Sequence, residues 1–460
     1  MTNPLSSPLS RGISSPLSRR TLFRGAGAAL VAGGLGACAP GGTTGSNSLP
    51  SSSVTKPPSG EITIWDRTGD LYKVFDKAIA SFTTKYPQVK VNHVAVDVNA
   101  KLPATLISGA GVPDGAFYDD ALLTGVAPHL YDLSQLIEQY KSDIAPYKLG
   151  VVTVDGKIVA VPWDLDPGLL FYREDIVTQA GVDPAKLTTY DDLLGAARTV
   201  RDKFPKARPI HLENDQFLAQ LWIDMFANQQ GGAMVDADGK LTIDSDPYRR
   251  TLTWLDKVRS EGLGTLAKYT QPTDLQTQDN GTQVFVPWAQ WFVFAPQQLL
   301  KASKGKWRAT ALPAWQSGGA RAGVMGGSSF VIPAKAKNPE LAWRLYEHLV
   351  FSKEGYTTVY GQNEVYPGGL NTSIPSYLPA LEPGTPLFKP LEALGGQDLW
   401  KVAVDAGKQV PGGYTIPSWW GKAVDYFGVN VQKLLAGRMS PDEVLKTSAS
   451  QIQKNLMGPS

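Results

Sequence analysis

The chain has a single cysteine in 460 residues, so no disulfide can form within it and its stability must come from packing. Histidine is almost as scarce. His93, His129, His211 and His348 are scattered without metal-site spacing or a Ser/His/Asp arrangement, so no metal is expected. Neither a P-loop nor a glycine-rich dinucleotide fingerprint follows any strand-like segment, and no cofactor is expected. No run approaches the ~20 apolar residues needed to cross a bilayer. Nor does either sign of charge dominate: 44 Lys and Arg stand against 42 Asp and Glu, with no basic run, which argues against nucleic acid as a partner. What the chain has in quantity is aromatic and turn-forming residues: 12 Trp, 17 Tyr, 34 Pro and 46 Gly.

The one cysteine is specifically placed. Ser18-Arg19-Arg20-Thr21-Leu22-Phe23-Arg24 is a twin-arginine signature, and a short Gly/Ala-rich apolar stretch then ends in Leu35-Gly36-Ala37-Cys38, a lipoprotein cleavage box. Residues 1–37 therefore read as a signal peptide and Cys38 as the lipidated first residue of the mature protein, exported by the twin-arginine route and tethered to the outer face of the cell membrane. Arg11, Arg19, Arg20 and Arg24 leave with that segment, which takes the formal charge from +2 to −2. Residues 38–60, rich in Gly, Ser, Thr and Pro, read as a flexible tether. Ahead of the arginine pair, Ser6-Ser7-Pro8-Leu9-Ser10-Arg11 recurs at 14–19, a duplication consistent with a harmless extension or a start codon set too early. Roughly 400 mature residues suit two domains.

Glu61-Ile62-Thr63-Ile64-Trp65 alternates like a strand, and Leu71, Phe75, Ile79 and Phe82 recur at helical spacing until Pro87. Val89–Val91 and Val94–Val96 supply a second strand, so the first two strands should be parallel and the fold α/β. Residues 152–159 form a hairpin around Asp155-Gly156, and Leu169–Tyr172 is a further apolar strand. Helix starts are written at Thr189 with Asp192, at Asn338 before Pro339, and at Ser440-Pro441-Asp442-Glu443.

Four segments in order resemble the extracellular solute-binding proteins of ABC importers, in the sugar-binding, maltose-binding-protein-like branch. They are Asp155–Pro162 followed by Leu170–Asp175, Thr189–Leu194, Gly326–Pro333 with Lys337–Trp343, and Leu435–Glu443. The resemblance runs from about Glu61 to Asn455. It implies a two-lobed α/β periplasmic-binding-protein fold, hinged about strands that cross between lobes, with ligand in the interlobe cleft. One lobe would hold 61–164 and 325–366, the other 167–323 and 368–460. It further implies a carbohydrate ligand, ABC permease transmembrane subunits as partners, a monomer, and no enzymatic activity.

Sugar hydroxyls call for carboxylate and amide partners, and sugar ring faces call for aromatic plates. On strand ends and family positions the expected ligand contacts are Asp66, Arg67, Asp119, Asp120, Trp163, Asp166, Phe217, Trp288, Gly327, Ser328, Tyr366 and Trp419. Trp288 would be the stacking plate, so that Trp288→Ala weakens binding without unfolding the protein, whereas Trp291 and Trp420 would pack between helices. Asp66 has a competing reading as a helix cap, and of Asp119 and Asp120 only one is expected to touch ligand. Two rival functions remain at this point. One is the same receptor role for a glycerophosphodiester or sugar phosphate held by Arg67, Arg173 and Arg321; the other is a lipid-anchored glycoside hydrolase.

Overall fold

In a computed structural model, residues 47–51, 56–364, 366, 369–370, 372–382 and 390–458 are described. The arginine pair and Cys38 lie outside the described residues.

Two five-stranded sheets organise the molecule. In the first, β1 (Gly60–Asp66) lies parallel to both β2 (Val89–Ala95) and β3 (Gly115–Asp119). A hairpin, β4 (Thr153–Val154) and β5 (Lys157–Ile158), turns through Asp155 and Gly156, both at positive φ, the geometry that an Asp-Gly pair favours. The chain then runs through β6 (Val161–Pro162) and β7 (Asp164–Leu165) into the second sheet. That sheet is built from β8 (Gly168–Arg173), β9 (Ile210–Glu213), β10 (Gly264–Ala267), β11 (Phe285–Ala289) and β12 (Trp307–Ala311). Here β9 pairs parallel with β10 and β11, while β8 is antiparallel to β11 and β12. The chain returns through a bridge between Pro167 and Val324 to β13 (Ser328–Val331), which completes the first sheet antiparallel to β3 and β6. A further pass, β14 (Ile374–Pro375), pairs antiparallel with β7. The connection between the two sheets is therefore a small ribbon of adjacent crossing segments.

The helix starts form as their sequences dictate. Thr189 with Asp192 and Ser440 with Glu443 both close complete capping boxes on the helices Tyr190–Lys203 and Pro441–Ile452. Asn338 sits at the N-cap of Pro339–Phe351, yet its side chain donates instead to the carbonyl of Glu61 and so ties that helix to the edge of β1. Aromatic residues fill the body around the first sheet: Trp163 packs among Phe75, Phe117 and Tyr360, with centroids 5.0, 5.1 and 5.9 Å away.

One expectation is corrected before the folded body begins. The segment read as free tether is pinned at its far end: Leu49 is 3% exposed, Ser48 bridges to Asp132, and Leu49 N–H donates to the Asp132 carbonyl. A leucine inside a polar, Gly/Ser-rich run was the available signal; its burial, together with the backbone bonds exchanged with Asp132, offsets the cost of ordering its neighbours.

Candidate functional site

Parallel strands aim their carboxyl ends at a common crevice, and here both sheets do so across the crossing ribbon. The residues just past β1, β3, β10 and β11, together with the start of β13, line a cavity of about 320 Å³, within the range of small-molecule sites. One wall carries Arg67, Asp119, Gly327 and Ser328; the other carries Phe217, Leu221, Tyr269, Trp291 and Phe294, and Gly326 lies at the junction against Trp291 and Leu221. Asp164, Asp166, Thr372 and Ser373 come from the crossing segments, and Tyr366 closes one side.

The first wall is a polar lattice. Arg67 donates to Asp119 (2.5 Å) and to Ser328 Oγ (3.0 Å), with its guanidinium 4.4 Å from the Phe117 ring centroid. Asn99 donates to the other oxygen of Asp119 at 2.6 Å. Behind it lies a buried lysine: Lys148 Nζ donates to Asp120 (2.5 Å), to the Ser328 carbonyl (2.8 Å) and, more distantly, to Asp164 (3.4 Å). Burial opposes the charge on Lys148, but Asp120 and Asp164 outweigh it and raise its pKa. Gly327, at φ +114°, leaves no space for a side chain, because a Cβ would meet the Asp120 carboxylate; a glycine is required for the backbone to pass over the lysine cluster. Burial, then the charge of Asp164, pushes Asp166 well above the ordinary carboxyl range, and Gln290 donates to it at 2.8 Å. Asp166 therefore holds its proton more tightly than an ordinary carboxyl, and when protonated it can donate as well as accept.

The second wall is a set of plates. Trp291, partly exposed, donates through Nε1 to the Met325 carbonyl (3.2 Å) and meets Tyr269 edge-on at 5.2 Å. Phe217 opens the helix Gln216–Asn228, whose first amides are capped by Asp215.

Of the twelve residues expected to touch ligand, seven line this cavity: Arg67, Asp119, Asp166, Phe217, Gly327, Ser328 and Tyr366. Five do not, each for a local reason. Asp66 is 1% exposed, accepting from Arg67 N–H and pairing with His93 Nε2 at 3.1 Å. Asp120 turns beneath Gly327 to Lys148 and Ser329. Trp163 belongs to the core of the first sheet, as described above. Trp288 is fully buried, stacked behind Tyr269 and edge-on to His211. Trp419, half-buried, precedes the short helix Trp420–Ala423 and packs outside the cavity. The expectation for Trp291 is reversed: of Trp288 and Trp291, the second reaches the cleft, because β11 ends at Ala289 and only residues beyond the strand leave the sheet. Trp420 is buried as expected, donating to Asp224 at 2.5 Å. Sequence reasoning missed Tyr269, Phe294, Asp164, Thr372 and Ser373.

Comparisons with known proteins agree with this architecture. A model for the bacterial extracellular solute-binding protein family matches residues 77–375. An arabinooligosaccharide-binding protein of Bacillus subtilis is 28% identical over 309 residues, 64% of this chain and 69% of that one. Among solved structures, an ABC-transporter-associated binding protein from B. animalis subsp. lactis, bound to β-1,6-galactobiose, aligns at 23% identity over 86% of this chain and 97% of its own, with a TM-score of 0.69. The GacH receptor of Streptomyces glaucescens, solved unliganded and with acarbose, aligns at 19% identity over 87% and 100%, with a TM-score of 0.72. These structures share the two-lobed α/β fold.

Proposed function

The chain belongs to the bacterial extracellular solute-binding protein family, and we propose that its cleft captures a neutral oligosaccharide outside the membrane for delivery to an ABC permease, releasing it chemically unchanged. The observation that carries this reading is the presence in one cavity of an aromatic wall (Phe217, Tyr269, Trp291) and of acceptors and donors from the polar wall (Asp119, Ser328) and the crossing segment (Asp166). Sugar C–H faces stack on the first, and hydroxyls bond to the second.

The charge of the site argues for a neutral ligand. Three carboxyls and one guanidinium line the cavity, and Arg67 is already paired with Asp119. The other two arginines considered for a phosphate are committed elsewhere: Arg173 to Asp175 and the Gln278 carbonyl, and Arg321 to the carbonyls of Leu187, Ala311 and Leu312. Hydrolysis would need two carboxyls flanking a bond, whereas Asp119, Asp164 and Asp166 stand on the polar side and the crossing ribbon, facing apolar plates.

The arabinooligosaccharide-binding relative makes pentose oligomers the first ligands to try. Calorimetric titration with arabino-, galacto- and malto-oligosaccharides, beside sugar phosphates, tests the reading. Saturable micromolar binding of a neutral sugar, with no new reducing ends on incubation, is expected; saturation only by a phosphate ester would refute it.

Export by the twin-arginine route, anchoring through lipid on Cys38 and a monomeric receptor complete the proposal. Replacing Arg19 and Arg20 by lysine should retain the precursor inside the cell, and Cys38→Ala should release mature protein from the membrane fraction.

A further inference from the structure

Behind the aromatic wall lies a buried group that ligand binding as described does not use. His211, on β9, is fully buried, with Nε2 3.3 Å from Glu213 and Nδ1 2.9 Å from Gln283 Oε1 and 3.4 Å from Asp274. Gln283 in turn donates to Asp274 at 2.9 Å, and the edges of Trp222 and Trp288 complete the surroundings. Burial opposes a charge on the imidazole, but its bonds to Asp274 and Glu213 push its pKa up to about 10, so it is an imidazolium at neutral pH.

What those two carboxylates hold with their remaining capacity is informative. Glu213 accepts from Tyr269 N–H (3.1 Å) and from Asp215 N–H (2.6 Å); Asp274 accepts from Thr270 N–H (2.9 Å). Tyr269 is a plate of the cleft, and Asp215 caps the helix that presents Phe217 and Leu221. Thr270 sits at φ +59°, a conformation that costs a β-branched residue free energy and persists only where neighbours impose it. Trp288, edge-on to His211 at 5.2 Å, backs the ring of Tyr269 at 5.0 Å. Two of the three aromatic elements of the second wall, those carrying Tyr269 and Phe217, thus trace to one buried hub.

We propose that His211 is a positioning residue for ligand recognition: through Glu213 and Asp274 it fixes the Tyr269 loop and the start of the Phe217 helix in the geometry that faces the sugar. The proposal rests on the cleft being the sugar site. Removing His211 leaves the two carboxylates without their common partner; the loop can then relax from its strained turn, and the Tyr269 plate leaves its place over Trp288.

The test uses His211→Gln and the double variant His211→Gln/Glu213→Gln, which keeps the net charge of the hub at its original value. Asp274→Asn, which weakens the acceptor of Thr270 N–H and removes one of the two carboxylates facing His211, is made alongside. In the folded variants, affinity for the sugar that wild-type protein binds should fall at least tenfold, the near-ultraviolet circular dichroism of the tyrosine–tryptophan stack should change, and the amides of Tyr269 and Thr270 should exchange faster. Adding Thr270→Gly, for which φ +59° is unstrained, should restore part of the affinity. Any folded member of the set with wild-type affinity and wild-type near-ultraviolet spectrum overturns the proposal; if both His211 variants fail to fold, Asp274→Asn decides it by the same measures. A wild-type protein that binds no sugar refutes the reading of the cleft instead, and the dichroism and exchange measurements still decide the positioning role.

Discussion

Tyr269 lies over Trp288 with ring centroids 5.0 Å apart and planes 23° from parallel, so one residue faces the cleft while the other backs it from within the sheet. The division of labour separates their mutants. Trp288→Ala should destabilise the protein by about 3–5 kcal/mol, the cost of emptying a buried tryptophan site, with weakened binding as a secondary effect. Thermal denaturation without ligand checks this; an unchanged melting temperature would contradict the buried placement.

Trp291→Ala is the contrasting case. Its ring is partly exposed and lines the cavity. Losing that face should weaken sugar binding by about 1.4–2.8 kcal/mol, ten- to a hundredfold, while the melting temperature of the unliganded protein moves little. Calorimetric titration and thermal scans on one preparation measure both.

Asp224 sets a pH dependence of stability. It is fully enclosed beneath Tyr248 and Trp420, which donate to it at 2.7 and 2.5 Å, and burial raises its pKa from 3.8 to about 7. A carboxyl whose folded pKa lies above its unfolded one binds its proton more tightly in the native state. Its contribution is greatest below about pH 4 and is lost as pH rises through 7. Asp164 and Asp166, also raised by burial, act in the same direction, and so does His211, whose folded pKa of about 10 lies above its ordinary 6.5. The carboxylates held low by their partners, Asp192 and Glu261 among them, matter only near and below their ordinary values of 3.8 and 4.5. Unliganded protein should therefore melt higher at pH 5.5 than at 7.5, by on the order of 2 °C, and Asp224→Asn should flatten that slope.

Two glycines permit the two sides of the cleft to meet at its outer edge. A Cβ on Gly125 would lie 2.9 Å from the Ser418 carbonyl oxygen, and one on Gly421 would lie 2.7 Å from Leu122 Cδ2. Gly421→Val should bias the protein toward an open form. Affinity is expected to fall about tenfold or more, as a penalty on the closed population requires, with a larger radius of gyration by X-ray scattering in saturating sugar. Identical scattering and affinity would show that the contact does not govern closure.

The fold was legible where the sequence carries its own punctuation. The Asp155-Gly156 turn, the capping boxes at Thr189 and Ser440, and the β1–β2 parallel pair all follow from local chemistry. The site was legible on the polar side, because Asp119 and Ser328 sit at the ends of recognisable strands. The aromatic side was not. Which tryptophan faces outward depends on where β11 stops, a boundary set by its pairing with β8, and composition cannot locate it. Tyr269 was hidden for a similar reason: its strand, β10, is four residues long and mixes polar with apolar side chains, so only the β9 pairing defines it.

Leu49 ties the residues ahead of β1 to one half of the molecule. Its side chain and the Ser48–Asp132 bridge fasten the residues ahead of β1 to the half containing the first sheet. A pull on residues 47–49 is thereby borne by the half that carries the polar wall, and the second sheet with its aromatic wall takes none of it directly.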